Sequence, residues 1–121
     1  MAYTSINFAG KFGLIKCQWE PKVIAEMNGT QFLLEKLKGD FVWHSHEDTD
    51  EVFIVITGNL RIDFRGGAVN IAPGEMFVVP KGVEHKPYAK HEVCVLILEP
   101  RDIAITGHEG KKNFSNVKAW I

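Results

Sequence analysis

Cysteine is scarce in this chain, with two residues, Cys17 and Cys94, in 121. They lie far apart and in no metal-type spacing, which argues against a disulfide scaffold and against a cysteine-based zinc site. Both thiols are expected to be free and buried. Cys94 in particular sits in the apolar run Val93-Cys94-Val95-Leu96-Ile97-Leu98, where a small hydrophobe fits. Charge of one sign is also missing: fourteen Lys and Arg face fifteen Asp and Glu, a formal net charge of -1. That balance lacks the basic footprint of a nucleic-acid binder. No hydrophobic run approaches the ~20 residues of a membrane-spanning helix. The opening Met1-Ala2-Tyr3-Thr4 has neither the charged start nor the apolar stretch of a signal peptide. Repeats and low-complexity tracts are absent. What is present is a chain with 45% hydrophobic residues, enough for one folded domain over residues 1–121 and too many for wholesale disorder. These features predict a cytoplasmic protein with no nucleic-acid and no membrane partner.

One helix is predicted, near the start, where Ser5 or Asn7 can cap a turn leading through Phe8, Phe12 and Ile15 at helical spacing. Gly10 and Gly13 weaken it. From Val23 on, the pattern is strands separated by turn residues, at 23–26, 32–37, 41–46, 51–57, 60–64, 69–71, 76–79 and 93–99. Asn28-Gly29 is a hairpin signal, and Gly58-Asn59, Gly66-Gly67, Pro73-Gly74 and Pro80-Lys81-Gly82 punctuate the rest. Regular short strands of this kind predict an all-β sandwich or small barrel with its core at about 23–100. Leu60, Ile62 and Phe64 alternate with Arg61, Asp63 and Arg65, the pattern of a strand wet on one face. Ile54-Val55-Ile56 and Leu96-Ile97-Leu98 are apolar on both faces and need cover on each side. A second layer or a partner subunit would supply it, and a homodimer is expected.

The chemistry lies in the strands. His44-Ser45-His46 places two imidazoles at i and i+2, on one face of a strand, with Trp43 on the other. Glu51 opens the next strand after the acidic turn Glu47-Asp48-Thr49-Asp50, so a hairpin would set its carboxylate opposite the pair. Glu51 also begins the inward row that continues through Phe53 and Val55, where an unpaired carboxylate is costly and a cation offsets the cost. His85 follows the turn Pro80-Lys81-Gly82-Val83-Glu84. Three histidines and a glutamate make a borderline N/O site for a divalent metal. His91, placed in a charged turn Ala89-Lys90-His91-Glu92, and His108 carry no more weight than any lone histidine. Glu47, Asp48 and Asp50 read as a solvated turn, with one of them able to reach an open coordination position.

These residues resemble the two motifs of the cupin superfamily. His44-Ser45-His46, Glu51 after four intervening residues and Gly58 after six more match the first motif. Gly74, Pro80 and Gly82 after five more, and His85 after another two, match the second. The short stretch between the motifs is like that of small single-domain bacterial cupins. Two positions depart from the pattern: Gly39 stands one residue closer to His44 than usual, and Ala89 stands where the family often has Asn. Neither is a ligand position. The resemblance implies a small jelly-roll β-barrel of two antiparallel sheets with a short N-terminal helix. His44, His46, Glu51 and His85 would point inward to hold Fe, Mn, Ni, Zn or Cu.

A set of four ligands leaves about two octahedral positions for water or substrate, and an open position distinguishes a catalytic site from a structural one. The family implies a small-molecule enzyme of isomerase, epimerase or dioxygenase type acting on a carbonyl- or hydroxyl-bearing substrate. Glu51 would be a ligand, or would loosen to act as general base. The alternative is a non-catalytic, metal-assisted small-molecule or sugar binding domain. The fold itself does not select the reaction. Lys36, Arg61, Lys81 and Tyr88 are candidates to contact an anionic substrate. In the tail, 101–121, Lys111-Lys112 and Trp120 break any period, and Trp120 beside Ile121 reads as an anchor onto the barrel or a second subunit.

Overall fold

Ten strands and one helix form among residues 2–102, 106–107 and 118–121, the part of the chain that the computed structural model describes. They are α1 (Phe8–Phe12), β1 (Lys22–Met27), β2 (Thr30–Asp40), β3 (His44–Ser45), β4 (Glu51–Thr57), β5 (Leu60–Phe64), β6 (Gly67–Ile71), β7 (Met76–Val79), β8 (His85–Pro100), β9 (Thr106–Gly107) and β10 (Ala119–Trp120). Of the two candidate caps it is Asn7 that starts the helix, its side chain accepting from the Gly10 N–H at 2.8 Å. The helix stops at Gly13, so Phe12 and Ile15 are buried while Phe8 is left exposed.

The long strand β8 organises the sheet. Its second half lies between β2 and β4, with Leu33↔Ile97 on one side and Phe53↔Ile97 on the other. Its first half pairs with β5, Phe64↔His85, and with β3, His44↔His85. One strand therefore joins both parts of the fold, and the jelly roll expected from the resemblance forms as one continuous, unclosed sheet with a parallel β1–β10 pair rather than as two separate antiparallel sheets. The sequence suggested a charged turn at 89–92. The chain instead continues as β8 through these residues, which bulge outward. Leu37 pairs with Val93 and Gly39 already with Ala89, so Lys90, His91 and Glu92 face the single residue Lys38, two residues in excess, on an exposed stretch. A strand that must bend from one layer to the other takes up its curvature at such a bulge.

Period-two alternation sorts the side chains. Inward residues of seven strands, among them Val23, Leu33, Leu37, Phe53, Val55, Ile62, Val93, Val95 and Ile97, make the interior core. A second cluster lies on the outer face of β1, β2, β4 and β8, where Phe12 and Ile15 cover Ile24, Leu34 and Leu96. That cover accounts for part of the doubly apolar pattern. Ile54, Ile56 and Leu98 remain only half-buried, and Met76 and Val78 on β7 are exposed. The tail is anchored by Ile121 rather than by Trp120. Ile121 packs into the outer cluster and donates its N–H to Val23 O at 3.0 Å, while Trp120 is exposed beside β1. Lys111, Lys112 and His108 lie outside the described residues. Both cysteines are free as expected, but Cys17 is exposed and Cys94 only half-buried.

Candidate metal centre

The residues expected to converge do so, though not through a hairpin. β3 pairs with β8 and β9, and β4 pairs with β7 and β8, so His46 and Glu51 meet across the interior between two layers. Two loop contacts set the approach. The Gly82 N–H donates to His46 O at 2.7 Å, and the Lys81 N–H donates to Asp50 Oδ1 at 2.9 Å. The turn before His85 is thereby tied to the turn between the histidine pair and Glu51. Asp50 earns its place by fixing that turn, and exposed Glu47 accepts from Ser45 Oγ at 2.7 Å.

His44, His46, Glu51 and His85 are all buried, and one ligand atom of each lies within 4.8 Å of every other. Nδ1 of His44 is 2.9 Å from Val42 O, and Nδ1 of His85 is 2.9 Å from Val83 O. A carbonyl only accepts, so both Nδ1 atoms carry a proton and both Nε2 atoms face inward, each able to offer a lone pair to a metal or, when protonated, to donate to Glu51. Nε2 of His85 then sits 3.3 Å from Glu51 Oε1, and Nε2 of His46 sits 3.2 Å from the same oxygen. Lone pairs gathered at that range repel one another unless a cation or a proton lies between them. The donor set of three imidazole nitrogens and one carboxylate fits a divalent transition ion. Electrostatics agree with this fit. Burial and then the neighbouring His85 push His44 down to about 4, so it is neutral and able to ligate. Burial alone would raise Glu51, but its hydrogen bonds with His46 and His85 outweigh that and hold it below the usual carboxylate range.

His44, His46 and Glu51 line a cavity of about 430 Å³, and His85 lies fully buried behind them. Its walls include Leu33, Leu37, Phe53, Ile97 and Pro87, together with an aromatic pair. In that pair Trp19 stacks on Phe41 with ring centroids 4.9 Å apart.

The family model for the cupin domain matches residues 32–99, more than half of the chain and both motifs. The chain belongs to the cupin family. A cupin-2 domain protein from Shewanella frigidimarina NCIMB 400 is 58% identical, with a TM-score of 0.79, covering 79% of this chain and 94% of that one. Protein NMB1881 from Neisseria meningitidis is 37% identical, with a TM-score of 0.72, covering 80% of this chain and 99% of its own. YdbB of Bacillus subtilis strain 168, itself described only as uncharacterized, is 36% identical over 64 residues. That match takes in 52% of this cupin and 57% of YdbB, so this chain spans little more than half of that relative's length.

The cavity of this cupin also contains polar groups that the sequence reading did not single out. Lys36, Arg61, Lys81 and Tyr88 are not among its lining residues. Lys36 donates to Ile15 O, and Arg61 pairs with Asp63 while lying over the Tyr88 ring. The cations that do line it are Lys22 and Lys118, and the acids beyond Glu51 are Glu20, Glu35 and Glu99. Glu35 and Glu99 occupy inward positions of β2 and β8, in the rows Leu33-x-Glu35-x-Leu37 and Val95-x-Ile97-x-Glu99. The argument that marked Glu51, an acid in an apolar inward row, marks these two as well. Each is pushed up to about 8, by burial first and then by the charge of Glu51. Lys118 comes from the tail, where no periodicity signals it. Trp19 lies in a loop with φ of 63°, fixed by its N–H to Lys36 O at 2.9 Å and its Nε1 to Lys38 O at 3.0 Å.

Proposed function

We propose that this cupin is a divalent-metal-dependent enzyme acting on a carbonyl- or hydroxyl-bearing small molecule, by isomerase, epimerase or dioxygenase-type chemistry. The observation that carries this reading is the convergence of His44, His46, Glu51 and His85, three of which, His44, His46 and Glu51, line a 430 Å³ cavity. The ion would be Fe, Mn, Ni, Zn or Cu, and when bound it supplies Lewis-acid polarisation of substrate oxygen atoms. The chain's own residues do the rest. His44 and His85 keep their Nε2 atoms inward through Val42 and Val83. Phe53, Leu33, Leu37 and Ile97 exclude water from the substrate's apolar part. Glu51 serves as a ligand and is also the group placed to accept a proton from substrate when its hold loosens. The chain works as a single cupin domain in the cytoplasm, where the exposed free Cys17 thiol is compatible with reducing conditions. It acts as a homodimer joined through the uncovered outer face of β4 and β7.

The test divides metal-free protein into portions loaded with Fe(II), Mn(II), Ni(II), Zn(II) or Cu(II). Each is screened for consumption of hydroxy- and oxo-compounds and of oxygen. Turnover with one ion, abolished in Glu51→Gln, is expected. Ligand-induced stabilisation without consumption under every ion would overturn the enzyme reading in favour of a binding barrel.

A further inference from the structure

The cavity has a second polar wall. Glu99 is 6% exposed and within hydrogen-bond reach of Glu51, and its Oε2 receives no N–H or O–H donor among the described residues. Its Oε1 lies 3.6 Å from Nζ of Lys118, whose side chain is itself only 10% exposed. Glu35 lines the same cavity and senses the charges of Glu99 and Lys118. A buried ion pair gains little stability over an apolar pair of similar volume, and a buried carboxylate oxygen without a donor is a direct cost. The fold nevertheless brings Lys118 in from the tail, held by the parallel pairing of β10 with β1 and by Lys11 Nζ donating to Ile121 O at 2.8 Å.

We propose that Glu35, Glu99 and Lys118 form a second subsite, which takes an uncharged hydroxyl group of the molecule held at the metal centre. This rests on the reading of that centre as a metal-dependent small-molecule site. A hydroxyl donates to a carboxylate oxygen and accepts from an ammonium, so it satisfies both kinds of group on this wall. A ligand carboxylate would compete with Glu99 for Lys118 and would crowd the negative charge of Glu51. A ligand ammonium would compete with Lys118 for Glu99. Discrimination of this kind is strong because rejected groups leave buried polar atoms unpaired. The ligand is then bifunctional, with adjacent oxygens at the metal, an apolar body against Phe53, Leu33 and Ile97, and a neutral hydroxyl on the neighbouring wall of Glu35, Glu99 and Lys118.

The test uses zinc-loaded full-length protein and four probes that share a chelating catechol head: catechol, 4-(hydroxymethyl)catechol, 3,4-dihydroxybenzoate and 3,4-dihydroxybenzylamine. Affinities are read by calorimetry and zinc content by mass spectrometry on the same samples. The hydroxymethyl probe is expected to bind about tenfold or more tighter than the other three. Glu35→Gln and Lys118→Met should bring all four within about threefold while zinc stays bound. Equal affinities with full zinc, a preference for the carboxylate or the amine, or variants that leave the preference intact would each overturn the subsite alone. Failure of the wild type to hold zinc would overturn the metal reading and the subsite with it.

Discussion

Glu35 and Glu99 bind their protons more tightly in the folded chain, at about 8, than the ordinary carboxyl value of 4.5. Their contribution to stability is complete below 4.5 and is lost as pH rises towards 8. His44 runs the other way. Lowered from 6.5 to about 4, it favours the folded state increasingly as pH climbs through that window. It opposes the two acids up to pH 6.5 and leaves them unopposed above. Metal-free protein should therefore lose melting temperature most steeply between pH 6.5 and 8, and Glu99→Gln should remove roughly half of that slope. Scanning calorimetry across pH reads this directly, and a flat or rising melting temperature in that interval would contradict it. At this scale the sequence was partly readable. His44, His46, Glu51 and His85 follow from strand periodicity plus motif spacing. Glu35 and Glu99 obey the same inward parity but are single acids inside apolar rows, with no partner in sequence to draw attention. Lys118 and Trp19 sit where no period exists, so only tertiary placement reveals them.

At the scale of elements, the turns that flank the ligand-bearing strands differ in how tightly they are held. Gly58, after β4, has φ of 85° and comes so close to β8 that an added Cβ would lie 2.8 Å from Glu92 O. Gly82 has φ of 75° but open space around its Cα. Gly58→Ala carries both left-handed strain and a backbone collision, about 2–4 kcal/mol, whereas Gly82→Ala carries the strain alone, about 1–2 kcal/mol. Denaturant titration of both variants should preserve that order, and an equal or reversed cost would show that the β4–β8 approach yields. Most strands could be read from alternation and turn residues. The first half of β8 could not, because Pro87 and the charged residues 90–92 look like loop when the pairing partners β2, β3 and β5 are unknown. The β3–β4 hairpin was the natural expectation from short spacing, and the two-layer topology overrides it by sending β3 and β4 to different partners.

For the whole molecule, the interior core and the outer cluster divide the apolar residues, and α1 covers only part of the outer face. Ile54, Ile56, Leu98, Met76 and Val78 continue that face to β7, which among the described residues pairs only with β4. An apolar patch running to a sheet edge is a surface that a second copy can cover. The protein should elute at about twice its 13.6 kDa, and Ile54→Lys with Met76→Lys should return it to monomer. A wild-type monomer would leave the doubly apolar strands explained by α1 alone.

The metal centre is the claim on which the functional account stands, and its most direct measurement is metal content. Untagged protein purified without chelator is analysed by plasma mass spectrometry beside a His44→Ala/His85→Ala variant. The account predicts near one equivalent of Fe, Mn, Ni, Zn or Cu in the wild type and almost none in the variant. No bound metal in either protein, even after reconstitution with each ion, would contradict it.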